Sequence, residues 1–254
     1  MNLTISPCPN DTFIFHALVH GLVADAPAVE VTYADVDVTN TLAEQADLDL
    51  VKVSVAALPW LLDRYELLPC GGALGRGCGP LVLAREPLPS LAGRSVAIPG
   101  ERTTANLLMR QWSAGAPPSQ VDVLPFAEIM PAVAAGRYDA GLVIHEARFT
   151  YRRHGLVCVT DLGEWWERET GLPIPLGAII ARKGAVDPEQ AAGWIRASLR
   201  HAIANPGAPM DYVLAHAQEL EFDVVQQHIA LYVNEFSLDL GADGRRAIEA
   251  LLDL

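Results

Sequence analysis

His145 stands directly after the apolar run Ala140-Gly-Leu-Val-Ile144, which reads as a buried strand. Imidazole is the one side chain whose ordinary pKa suits proton transfer near neutral pH, so a strand-end histidine is a candidate general base. A packed, purely structural histidine is the competing reading of the same position. Lys52 interrupts the β-like run Asp49-Leu-Val-Lys-Val-Ser-Val55, with Ser54 two residues on. An ammonium there either neutralises a ligand carboxylate in a cleft or snorkels to water from a strand end. Thr103-Thr104-Ala105 opens a helix after the strand Arg94–Pro99. Hydroxyls, backbone N–H groups and the positive helix end suit an anion there, and simple N-capping accounts for the same residues equally well. Ser6, Asn10 and Asp11 follow the first strand, Leu3–Ser6.

Other arrangements lead away from chemistry. His16 and His20 have the spacing of helical metal ligands, but no H-E-x-x-H follows and no third ligand is evident, so no metal is expected. No G-x-S-x-G marks a serine nucleophile. Cys8, Cys70, Cys78 and Cys158 form no C-x-x-C pair and read as free thiols of a reducing compartment. The glycine-rich stretch Gly71–Gly79 matches neither phosphate-loop pattern and leads into a strand, so it reads as a connection with tight turns. Trp165-Trp166 either lines an aromatic pocket or packs against the core.

Positioning these residues requires strands that alternate with helices. Leu3–Ser6, Val29–Tyr33, Leu48–Val53 and Leu81–Ala84 read as strands, with a helix after Asn10 or Asp11, another fronted by the capping-box spacing Thr41–Glu44, and a third over Ala56–Arg64. A second series follows: strands Arg94–Pro99, Val121–Pro125 and Ala140–Ile144, with helices over Thr103–Ser113 and Glu128–Ala135. Beyond the strand Leu176–Ala181 the chain is nearly all helix, from Asp187-Pro188 through Met210–Glu219, Asp223–Asn234 and Ala242–Leu252. The pattern predicts an α/β protein with mainly parallel sheets in two lobes. Residues 1–87 with 177–254 form the larger lobe, residues 88–176 the inserted one. Crossing strands near Leu83–Glu86 and Pro175–Ile179 would act as hinges, and the closing helices would pack on the first lobe. Ligands of open α/β sheets gather beyond strand carboxyl ends, so the cleft between the lobes is the expected site.

Composition narrows the partners. Of 254 residues, 31 are acidic and 18 basic, a net charge of −13, which excludes generic nucleic-acid binding. Met1 runs into Leu3-Thr4-Ile5 without a basic and then apolar leader, and no apolar run reaches membrane-spanning length. A cytoplasmic protein with a small-molecule ligand and no membrane or nucleic-acid partner is expected.

The same segments also resemble a known family. Ser6-Pro-Cys-Pro-Asn-Asp-Thr-Phe-Ile-Phe-His-Ala-Leu-Val-His-Gly21 is similar to the N-terminal signature of the 1,4-dihydroxy-6-naphthoate synthases of menaquinone biosynthesis by the futalosine route. The similarity continues through Gly71–Gly77, Ile144-His-Glu-Ala-Arg-Phe-Thr-Tyr151, Asp161–Trp166, Gly171–Gly177 and Tyr232–Gly241, nearly the whole chain. It implies a two-lobed periplasmic-binding-protein-like fold of type II. It implies a cofactor-free lyase that converts cyclic dehypoxanthinylfutalosine, which carries a carboxylate, to 1,4-dihydroxy-6-naphthoate by C–C cleavage. By the same resemblance His145 is the proton acceptor, and Lys52, Val53, Ser54, Thr103, Thr104 and Ala105 are ligand contacts. Val53 and Val55 flank Ser54 where relatives can carry leucine or tyrosine. Two further readings share the fold: a non-catalytic solute-binding protein, opposed by the missing export signal, and chorismate dehydratase of the same pathway, opposed by the Ser-Pro-Cys-Pro-Asn-Asp start.

Overall fold

The computed structural model describes residues 1–217 and 221–253. Among them, strands β1 (Asn2–Ile5), β2 (Glu30–Tyr33), β3 (Leu50–Ser54), β4 (Tyr65–Leu67) and β5 (Ala73–Gly75) belong to one sheet, joined late in the chain by β11 (Ile174–Arg182). Strands β6 (Leu81–Ala84), β7 (Ser95–Ile98), β8 (Gln120–Val123), β9 (Ala140–Val143) and β10 (Val157–Asp161) form the other. The first sheet runs β2-β1-β3-β11-β4, with β5 also on β11, and the second runs β10-β6-β9-β7-β8. The sheets are mixed and not mainly parallel. Strands β1–β3 and β7–β9 pair in parallel through helical crossovers, as the alternating pattern predicts, but β11 and β6 pair antiparallel with their neighbours.

That pairing relocates the passage between the sheets. β6 lies wholly in the second sheet and β11 wholly in the first, so the chain crosses at 76–80 and returns before Ile174, upstream of the expected 83–86 and 175–179. The glycine-rich stretch contains β5, so it is only partly a connection. Its far end is pinned. Arg148 donates to the Gly79 carbonyl at 2.6 Å and pairs with Asp161 at 2.5 Å, while Asp161 caps the helix Leu162–Thr170. Gly79 and Gly163 touch backbone to backbone: a Cβ on Gly79 would lie 2.0 Å from the Gly163 nitrogen.

Helix starts follow local chemistry where a side chain can cap. Asp187 accepts from Gln190 N–H at 2.9 Å ahead of α7 (Pro188–Ala204), and Thr103 caps α3 (Thr104–Trp112) from the Asn106 N–H at 3.2 Å. Elsewhere tertiary packing moves them. α1 (Pro9–Val19) begins before Asn10, so Asn10 and Asp11 sit in its first turn and not at its cap. α2 (Val36–Gln45) places Thr41 in mid-helix, where its hydroxyl bonds back to Asp37, so no capping box forms at Thr41. Residues 56–64 hold only a 3-10 helix, Val55–Trp60, because Pro59 cannot donate into a longer one. The helix expected to run to Glu219 spans Met210–His216, and its final expected residues lie outside the described ones.

Three apolar clusters hold these elements. One joins α1 and α7 to the first sheet, bridged by Ser198, whose hydroxyl donates to the Ile14 carbonyl and accepts from the Leu18 N–H. Another backs the second sheet with Ile129 and Val133. The largest runs between the sheets, from Val51, Val53 and Leu58 to Val82, Leu142 and Trp166. Trp166 is a core residue whose indole N–H donates to the Pro173 carbonyl at 3.0 Å. No helix among the described residues is long and apolar enough to cross a membrane. Gly79→Ala or Gly163→Ala forces one backbone off the other, and overpacking of this kind costs roughly 1–3 kcal/mol. Thermal unfolding of the two variants checks this; a midpoint equal to the parent's would show that the close approach is not needed.

Candidate active site

β3 alternates sides with every residue, so Lys52 and Ser54 reach a cavity between the sheets while Val53 points the other way into the shared core. Of the expected contacts, Lys52, Ser54, Thr103, Thr104, Ala105 and His145 line this cavity; the Val53 side chain does not. The cavity is small in this conformation, about 80 Å³. Ser6, Asn10, Asp11, Cys78, His228 and Tyr232 contribute wall that no local motif had marked as chemical, except for Ser6, Asn10 and Asp11 at the end of the first strand.

Lys52 pairs with Asp11 at 2.5 Å, both side chains almost without solvent. The carboxylate also accepts from the Ser6 hydroxyl at 2.6 Å and the Asn10 amide at 2.9 Å. Gly177 makes room for the lysine stem, since a Cβ there would stand 2.8 Å from Lys52 Cε. Asn40 holds Ser54 by donating to its hydroxyl and accepting its N–H, and donates as well to the Arg102 carbonyl of the second unit. The Thr104 hydroxyl donates to the Leu176 carbonyl at 2.8 Å and accepts from the Ala56 N–H at 3.1 Å. That threonine therefore ties α3 to β11 and to the turn after β3, while the Thr104 and Ala105 N–H groups stand at the positive helix end.

His145 leaves β9 with φ +53°, the left-handed region that a non-glycine residue rarely adopts. Such strain persists where the surroundings over-determine the residue, and it gathers at functional sites. Here the ring packs edge-on against Phe126 at 5.3 Å, and Nδ1 lies 3.2 Å from the Cys8 sulfur. Burial, assisted by the Lys52 charge and opposed by Asp11, pulls the imidazole pKa down to about 4, so the ring is neutral at pH 7. Burial and the neighbouring Glu146 and Asp11 push the Cys8 thiol well up, so it is protonated. Cys8, His145 and Glu146 bring one potential ligand atom each within 4.8 Å of one another. The sequence marks Cys8 only as a free thiol; its place beside His145 depends on a contact across 137 residues.

A second imidazole, His228 on the helix α9 (Phe222–Tyr232), touches the Asn10 amide oxygen through Nε2 at 2.9 Å. It is 1% exposed, and burial, with the nearby His145 and Lys52, holds it neutral.

The whole chain, residues 1–254, matches the family model described as menaquinone biosynthesis. The chain belongs to that family. Two relatives are named 1,4-dihydroxy-6-naphthoate synthase. The protein of Streptomyces coelicolor is 58% identical over 99% of this chain and 91% of its own; that of Thermus thermophilus is 49% identical over 99% and 92%. Among solved structures, AF1704 of Archaeoglobus fulgidus superposes with a TM-score of 0.93 at 31% identity, covering 99% of this chain and 95% of its own. The aliphatic sulphonate binding protein SsuA of Escherichia coli reaches 0.67 at 11% identity over 100% and 91%, a likeness of fold alone, which is that of the periplasmic binding proteins.

Removing Lys52 strands the Asp11 carboxylate without solvent. Lys52→Met should cost about 3–5 kcal/mol, the usual effect of breaking one side of a buried pair, and adding Asp11→Asn should recover most of it. Urea unfolding of the single and double variants measures both terms; a single variant as stable as the parent contradicts the pairing.

Proposed function

We propose that this protein converts cyclic dehypoxanthinylfutalosine to 1,4-dihydroxy-6-naphthoate as a carbon–carbon lyase. The observation that carries the reading is the 58% identity, over nearly all of both chains, to a relative named for that product. The binding-protein neighbours, by contrast, share little beyond the fold. A biosynthetic role of this kind fits the cytoplasm.

The chemistry needs a base, a seat for a carboxylate and shelter from water. The Cys8 sulfur occupies Nδ1, which leaves Nε2 as the ring nitrogen for the substrate, and the base role requires the tautomer with its proton on Nδ1. Nε2 takes the proton of a substrate hydroxyl, the oxyanion becomes a carbonyl as the adjacent C–C bond breaks, and the electron pair enters the ring that becomes aromatic. The imidazolium then protonates the aryl oxide so formed, and the fragment bearing the new carbonyl leaves as the second product, so no oxidant or reductant is consumed. Lys52 and the first turn of α3 at Thr103, Thr104 and Ala105 supply positive charge and N–H donors for the carboxylate, and Ser54 a hydroxyl.

His145→Asn keeps a planar polar group without a basic nitrogen, so single-turnover product formation by saturated enzyme should slow by about 10²–10⁴-fold. A rate near that of the parent sinks the role of His145 as base. Acid should act through the same ring. Imidazolium has no lone pair, so kcat/KM should hold from pH 8 to 5 and fall only as pH approaches the free-enzyme value of about 4. A carboxylate on Lys52 offsets a charge that lowers the imidazole, so the corresponding fall in kcat should lie at higher pH than that in kcat/KM. Initial rates across pH at low and at saturating substrate separate the two profiles, and a kcat inflection below that of kcat/KM contradicts the carboxylate seat.

A further inference from the structure

We propose that His228 is a substrate-binding residue whose Nδ1 accepts a hydrogen bond from a hydroxyl of the ligand. The inference rests on the function proposed above for the ligand's identity, but its physical basis is independent of it. The hydrogen-bond chain from Lys52 determines which nitrogen of His228 carries the proton. The Asp11 carboxylate can only accept, so the Asn10 group at 2.9 Å from Oδ1 is the NH₂. The Asn10 carbonyl oxygen therefore faces His228 Nε2 at 2.9 Å, and that nitrogen must donate.

A neutral imidazole has one proton, so Nδ1 holds a lone pair. Nδ1 is buried and has no hydrogen-bond partner among the described residues. The group stacked on the ring does not supply one. Tyr232 lies 4.5 Å away, centroid to centroid, and its hydroxyl donates to the Cys78 carbonyl at 3.1 Å. A buried acceptor without a donor is costly, and His228 is among the residues that line the cavity, so a ligand hydroxyl there would supply the missing hydrogen. The class of group recognised is a neutral hydroxyl and not an anion, since a carboxylate brings no hydrogen to Nδ1.

Two substitutions separate this role from a structural one. In His228→Gln the side-chain amide N–H takes the place of Nε2 and keeps the bond to Asn10 while losing the acceptor at Nδ1. In His228→Asn the shorter side chain sets its carbonyl oxygen near Nδ1, keeping that acceptor and losing Asn10. With cyclic dehypoxanthinylfutalosine, His228→Gln should raise KM about tenfold or more, and His228→Asn should stay within about threefold of the parent. The reverse order, equal losses or two parental values would overturn the proposal. The nitrogen-15 resonances of His228 in the ligand-free parent protein provide a test that needs neither variant nor turnover. A protonated Nε2 with a bare Nδ1 supports the assignment, and a protonated Nδ1 overturns it. Parent enzyme that leaves this substrate unchanged would instead refute the proposed function, with the resonance measurement still deciding the state of His228.

Discussion

A lysine ammonium and an aspartate carboxylate, both nearly without solvent, meet at 2.5 Å between the two sheets, and much of the cavity is arranged around them. Taking each ion from water costs several kcal/mol, which only close pairing and saturation of the remaining lone pairs offset. Ser6 and Asn10 provide that saturation, which explains why the first turn of α1 is polar and buried in an otherwise apolar helix. Gly177 follows from the same constraint, because β11 must pass close to the lysine stem. So does the orientation of Asn10, and through it the protonation of His228.

The cavity also depends on how the two units are joined. Their main apolar cluster is shared, and Thr104, Asn40 and Arg148 add hydrogen bonds from one unit or its connections to the other. The cavity between the two sheets holds two neutral imidazoles in its wall. Such a setting strengthens every polar contact with a bound molecule. It also weakens the bases, since burial disfavours imidazolium at both His145 and His228.

His145 combines strain with this weakness. Its left-handed backbone turns the ring toward Cys8 and Phe126 directly after a strand, where an extended residue would carry it elsewhere. An imidazole with a pKa of about 4 lies well below the optimum for proton transfer at neutral pH.

Local pattern alone determined a good deal of this protein. Period-two alternation in Leu50–Ser54 puts Lys52 and Ser54 on one face, and Asp187-Pro188 and Thr103 mark helix starts by their own side-chain chemistry. The long motif around His145 singled it out through family resemblance, where position at a strand end left its role open. The antiparallel entry of β6 and β11, the place where the chain crosses between sheets, and the start of α1 before Asn10 were decided by packing. The contacts of Cys8 with His145 and of Asn10 with His228 span 137 and 218 residues. No periodicity or capping signal reaches that far, because such signals report only what a residue does to its neighbours within a turn or a strand. Which nitrogen is protonated, which carboxylate is paired and which acceptor is left for a ligand depend on groups that only the folded chain brings within hydrogen-bonding distance.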